Sequence, residues 1–180
     1  GLFELAGRQP EARIAVKDST TVGGPTWPNG CHVCEVEIDP ATGEVALVAY
    51  ASVNDIGRVV SPVIVQGQIE GGAVQGIGQA LHERIAYDAE SGQLLTASLM
   101  DYALPRADDV CVFRTVFDES VPCLTNRLGA KGVGEAGTTG SVPTLANAVI
   151  DALRPLGINH VDFPLTPARI WKAIHNSKAA

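Results

Sequence analysis

Residues 61–83 read SPVIVQGQIEGGAVQGIGQALHE, a stretch that opens as a helix should and then places Gly67, Gly71, Gly72, Gly76 and Gly78 inside it. Ser61 is a good N-cap, and Pro62 suits the first helical position, where a missing N–H costs nothing. A helix is therefore predicted from Pro62 to about Glu83. Each interior glycine costs roughly 1 kcal/mol relative to alanine, so something must offset them. At about 100° per residue, Gln68, Gly71, Gly72, Gln75 and Gln79 share one face, and Ile69, Ala73, Val74, Ile77, Ala80 and Leu81 the other. A merely solvated face would favour Glu, Lys and Arg and has no use for glycines. Close packing on a neighbouring element accounts for the glycines but not for the glutamines. A row of amides over a smooth backbone suits a planar polar ligand, since each Gln offers two donors and an acceptor. Ligand contact is ranked above the other two readings. Glu70 falls on the apolar side and needs a partner.

Before this helix, GCHVCEVEIDPATGEVALVAYASVND reads as two strands, Cys31 to Ile38 and Glu44 to Val53, joined by a turn over Asp39 to Gly43 as an antiparallel hairpin. After it, RIAYDAESGQLLTAS reads as a second turn-linked strand pair and VCVFRTVFDES as a further strand. Ser141-Val142-Pro143 predicts a helix through about Leu153, and Thr166-Pro167 a short third one. The fold class is α+β: antiparallel strand hairpins packed with two to three helices. Residues 1–26 carry no strong pattern and read as an irregular lead-in. Residues 1–180 as a whole read as a portion of a larger domain.

The chain of 180 residues is 46% hydrophobic and 18% charged, enough apolar material for a real core and too little charge for a disordered segment. A net charge of -7, without a basic cluster interleaved with aromatics, argues against a nucleic-acid partner. No apolar run is long enough to span a bilayer and the N-terminus lacks the plan of a secretory signal, so a soluble, cytoplasmic protein is expected. The CxxC formed by Cys31 and Cys34 lies in an alternating segment, which sends the two thiols to opposite faces. No second CxxC completes a zinc site. Buried, reduced cysteines are expected, and no residue is assigned as a metal ligand.

In LGAKGVGEAGTTG, Leu128 to Gly140, Glu135 is the single carboxylate among glycines, small residues and one lysine. Gly132, Gly134 and Gly137 spell G-x-G-x-x-G, which raises an NAD-binding βαβ unit. That motif needs a strand directly before it and a helix opening at its glycines. VPCLTNRLGAK is no buried strand, and the expected helix starts only at Pro143, so this reading ranks low. From the residues alone, two readings of Glu135 stand about level: an acid or base in a loop laid along a ligand from Lys131, or a capping or surface residue.

Taken together, DIGRVVSPVIVQGQIEGGAVQGIGQALHE, LLTASLMDYALPRADD, LGAKGVGEAG and HVDFPLTPARIWKAI resemble, over nearly the whole chain, a known family. It is the xanthine dehydrogenase / aldehyde oxidase family, in the C-terminal part of its large molybdenum-binding subunit, nearest the branch of aerobic carbon monoxide dehydrogenase large chains. The resemblance implies part of a molybdopterin-binding domain. In it Gln68 contacts the pterin, and Gly71, Gly72, Gln75 and Gly76 belong to the same wall. The loop of Lys131, Gly132, Val133 and Gly134 passes the metal, and Glu135 matches the active-site glutamate. The implied cofactor is molybdenum-molybdopterin cytosine dinucleotide, with iron-sulfur clusters and FAD on other domains or subunits. The implied reaction is hydroxylation of an aldehyde, purine or other N-heterocycle, or oxidation of carbon monoxide, with oxygen drawn from water. Implied partners are the remainder of the large subunit, iron-sulfur and FAD subunits and a small-molecule substrate, in an oligomer. A cation beside Glu135 would weaken it as a base, so Lys131 is expected to turn away. A different class of reading makes the chain a non-catalytic domain serving as a subunit interface.

Overall fold

The computed structural model describes residues 1–177. Its elements run α1 (Leu2–Gly7), β1 (Asn29–Ile38), β2 (Val45–Asp55), α2 (Pro62–Leu81), β3 (Phe113–Phe117), α3 (Ala136–Leu153) and α4 (Pro167–Ser177). Among the described residues no helix is long and apolar enough to cross a membrane. The three strands form one sheet in the order β1-β2-β3, and α2 and α3 pack side by side against it, α3 on β1 and α2 on β3. Beneath them lies the core of Ile77, Leu81, Leu145, Val149, Leu153, Leu165, Ile170 and Ile174, closed on the sheet side by Cys34, Val36, Ile38, Leu47 and Phe113.

The β1–β2 hairpin is antiparallel, as predicted. Its turn is built by Asp39, whose carboxylate accepts from the Ala41 N–H (2.8 Å) and from the Thr42 hydroxyl (2.9 Å). Gly43, at φ +78°, sits directly on Pro167 and Trp171 of α4, where a side chain has neither the dihedral nor the room. A register shift after Glu35 pairs it with Ala49 but pairs Val36 with Leu47, so Val48 is an extra residue on β2. This bulge reverses the side-chain alternation, and Leu47 and Tyr50, three apart, both face the helices.

Four expectations need correction. β3 pairs with β2 in parallel, Tyr50 opposite Phe113, so the sheet is mixed. A parallel neighbour requires a crossover, and α2 lies in it. The strand pair expected at residues 84–98 reduces to one bridge, Tyr87 with Leu94, around a turn closed by Asp88 N–H to Gln93 O. Ile85, Tyr87 and Leu95 are all exposed there, so no buried face extends the pairing. Of the cysteines, all free, Cys31 is exposed and Cys34, Cys111 and Cys123 are partly covered; Cys31 and Cys34 do point to opposite faces.

Finally, α3 begins at Ala136 rather than at Ser141, with Pro143 inside it. The cause is tertiary. Gly137 lies against the backbone of α2, where a Cβ would overlap Ile69 O and come within 2.8 Å of Ala73 N. Gly72 faces it from α2, its absent Cβ 3.0 Å from Thr138 N, and one turn on Gly76 abuts Ser141. Backbone contact with α2 thus supports a first turn that Pro143 weakens by withholding one intrahelical bond.

At Gly137 every neighbour within overlap distance is backbone and cannot step aside. Gly137→Ala is therefore expected to destabilise by about 1–3 kcal/mol, the range of overpacked cores. Gly67→Ala, in an interior helical position with nothing within 4 Å, should stabilise by up to about 1 kcal/mol. Thermal unfolding of the two variants checks the opposite signs.

Candidate functional site

A cleft of about 540 Å³ opens where the segment leading into β1 meets the glycine-rich loop and the first turn of α3. Trp27, Asn29 and His32 wall one side, Val133, Glu135 and Thr139 the other, with Asn54 between them.

The loop is tied down at its start. Lys131 donates its N–H to Ile56 O (2.7 Å) and its ammonium to Asp55 Oδ2 (2.6 Å), with both side chains largely covered. The Lys131 bond, then the Gly57 N–H, hold the Asp55 carboxyl below the usual carboxylate range. Gly132 N–H donates to Thr26 Oγ1 at 3.0 Å, fastening the loop to the opposite wall. Beyond it the pattern changes. The N–H groups of Val133, Gly134 and Glu135 have no hydrogen-bond partner among the described residues. Glu135 occupies the N-cap position of α3 without capping it, and its side chain is exposed. Lys131, the cation of its own loop, is turned away onto Asp55, as expected.

Gln68, Gly71, Gln75 and Gln79 are exposed along one side of α2, while Ile69, Ala73, Ile77 and Leu81 are buried on the other. Gly72 and Gly76, expected on the outward wall, are instead buried in the seam with α3. They lie about 40° and 80° round the helix from Gln68, on the flank that α3 covers. The seam also carries polar contacts between the two helices. Thr138 Oγ1 donates to Gly72 O (2.9 Å) and lies 3.3 Å from Gln75 Oε1, and Gly137 meets the turn of α2 that follows Gln68. Glu70 has the partners it needed: Gln66 Nε2 and Thr115 Oγ1 each donate to Oε1 at 2.9 Å.

One group of residues escaped the sequence reading. His32 of β1 faces Ser52 of β2, and its ring spans the two inward neighbours, with Nδ1 2.7 Å from Tyr50 Oη and Nε2 3.3 Å from Asn54 Oδ1. Asn54 Nδ2 donates to Ser52 Oγ at 2.9 Å, which leaves Oδ1 as the acceptor. His32 is then the neutral Nε2–H tautomer, and Nδ1 accepts from the Tyr50 hydroxyl. Tyr50, Ser52 and Asn54 are each at least 97% covered. Burial lowers the His32 pKa and raises that of Tyr50, so the whole row is neutral. Cys34, next on the same face, has its thiol pushed up to about 11 by burial and by Cys111, and is no nucleophile. The available signal was a polar residue at every second position from Tyr50 to Asn54, hidden because the bulge at Val48 reverses the phase.

Comparison with known proteins identifies the family of the chain. The family model described as molybdopterin cofactor-binding domain matches residues 6–111. The carbon monoxide dehydrogenase large chain of Hydrogenophaga pseudoflava is 40% identical over 154 residues, covering 84% of this chain and 19% of that protein. The nicotine 6-hydroxylase large subunit of Paenarthrobacter nicotinovorans is 42% identical over 149 residues, 83% of this chain and 18% of that one. The structure of reconstituted CO dehydrogenase from Oligotropha carboxidovorans superposes with a TM-score of 0.80 at 34% identity, again over 84% of this chain and 19% of that one. The chain thus spans about a fifth of the length of the relatives it matches. A family match over more than half the residues, with relatives 40% and 42% identical over 84% and 83% of the chain, leads to one conclusion: this chain belongs to the molybdopterin cofactor-binding domain family.

Proposed function

We propose that this chain supplies the glutamate-bearing wall of a molybdenum hydroxylase, with Glu135 as the base. The observation that carries this reading is Glu135 itself: an exposed carboxylate in a cleft, with no hydrogen-bond partner for its side chain among the described residues and with the cation of its loop sequestered. A base near neutral pH needs that freedom.

The donor set fits a molybdopterin. The free N–H groups of Val133 and Gly134 suit anionic oxygens, and the outward amide of Gln68 suits the polar edge of a pterin. Gly71 leaves α2 open to close approach. Gln75 is steadied by Thr138, Gly72 and Gly76 act through the spacing of the two helices, and Lys131 and Gly132 anchor the loop. The cofactor when bound, in its cytosine dinucleotide form, would supply a two-electron redox centre for hydroxylating a substrate, or for oxidising carbon monoxide, with oxygen from water. Glu135 takes up on its carboxylate oxygen the proton released from that water. The substrate is a small electron-poor molecule: an aldehyde, an N-heterocycle or carbon monoxide. Iron-sulfur and FAD partners carry the electrons onward in a cytoplasmic oligomer.

In the complete enzyme, Glu135→Gln keeps shape and hydrogen bonding but removes the basic site. Molybdenum content should be retained while kcat falls by about 10²–10⁴-fold. Gln68→Ala should lower cofactor retention as well as rate. A Glu135→Gln enzyme with full molybdenum and near-normal turnover would make Glu135 structural.

The interface reading has its own support, because part of the sheet's outer face is apolar. Val33, Val53 and Val116 are 62%, 48% and 44% exposed, and Val53 pairs with Cys31 on one side and Val116 on the other. A face of that kind is normally covered. The 180-residue chain by itself should therefore bind no molybdenum cofactor and should self-associate. Sedimentation with metal analysis decides it, and a monomer carrying stoichiometric molybdenum would overturn it.

A further inference from the structure

The row Tyr50–His32–Asn54–Ser52 lies directly under the first turns of α3. The His32 ring fills the space that the glycine at 140 leaves open: a Cβ there would sit 2.6 Å from its Cε1 and Nδ1. Thr144 Oγ1, one turn further on, lies 2.7 Å from Gly140 O and 3.3 Å from His32 O, so the same residue also meets α3 through its backbone. Both ring nitrogens are engaged by groups on β2. The ring can neither rotate nor shift along the strand without leaving a buried polar group unpaired, which costs about 1–3 kcal/mol. Glu135 begins the same helix, five residues before Gly140, and lines the same cleft as His32.

We infer that His32 is a positioning residue for Glu135: held between Tyr50 and Asn54, it sets the height and tilt of the first turns of α3 and so the place of the carboxylate in the cleft. This rests on the reading of Glu135 as the base. It assigns no bond to substrate or cofactor. A displacement of the base by a fraction of an ångström is enough to lower turnover while leaving binding alone.

A double-mutant cycle in the complete enzyme separates the two ideas. His32→Gln keeps a donor toward Asn54 but no longer holds an acceptor at the ring Nδ1 position facing Tyr50, and Tyr50→Phe removes the opposing hydroxyl while keeping the ring. Each should lower kcat by up to roughly 100-fold, the cost of misplacing a reacting group by about 1 Å, with KM and molybdenum content little changed. In the Glu135→Gln background the same substitutions should change the residual rate less than about twofold, since no base remains to be positioned. Equal losses in both backgrounds, no loss in either, or loss of molybdenum with the rate would each overturn the positioning role. Normal turnover for Glu135→Gln alone would instead sink the reading of the base. If His32→Gln does not fold, Tyr50→Phe decides by the same criteria.

Discussion

The contact between the backbones of α2 and α3 at Gly72 and Gly137 organises the molecule. Two helices normally stand about 8–10 Å apart, separated by side chains. Here one turn of each has none to interpose, and Gly76 against Ser141 continues the approach one turn on. The pair can then sit together on a sheet of only three strands, the long faces beneath them closing one core. Because Gly137 directly follows the loop, the same contact fixes the end of that loop against α2. The glycines whose helical cost called for an offset are, in part, offset here.

Most of the elements were legible because they depend on local chemistry. Ser61-Pro62 marked the start of α2, Thr166-Pro167 that of α4, and the turn at Asp39 to Gly43 the hairpin. What was misread depends on residues far apart in the chain. Pro143 signals a helix start by its own preference, and only the fit of Gly137 against Ile69 and Ala73 moves the start back to Ala136. This also changes the standing of the G-x-G-x-x-G motif. A helix does open at its glycines, yet among the described residues the segment before them makes only the single bridge of Ala130 with Gly57 and no strand of the kind a dinucleotide site needs.

The candidate site left a signal in the sequence where one residue type is conspicuous in its surroundings, as Glu135 is among glycines and the glutamines are along α2. It was illegible where the meaning of a residue depends on pairing. His32, Tyr50 and Asn54 are unremarkable in a strand-forming segment, and neither the bulge at Val48 nor the facing of β1 on β2 is written in the alternation of either strand. Gly72 lies within the glutamine face by angle, and only the position of α3 separates it from that face, whereas Gly76, about 80° from Gln68, already lies among the buried residues of α2.

The cleft also has a history in time. Its two walls are joined by Gly132 to Thr26, 106 residues apart, and by Thr144 to His32, 112 apart. The hairpin and α2 are local and can form as soon as they emerge. At a synthesis rate of about 5–20 residues per second, the second wall follows the first by roughly 5–20 s. Through that interval Tyr50, Ser52 and Asn54 have no helix over them, and closing so long a span makes the last step the slow one. A ligand that needs both walls can enter only once residues 132–140 have docked, so loading of the site is an event of the finished fold.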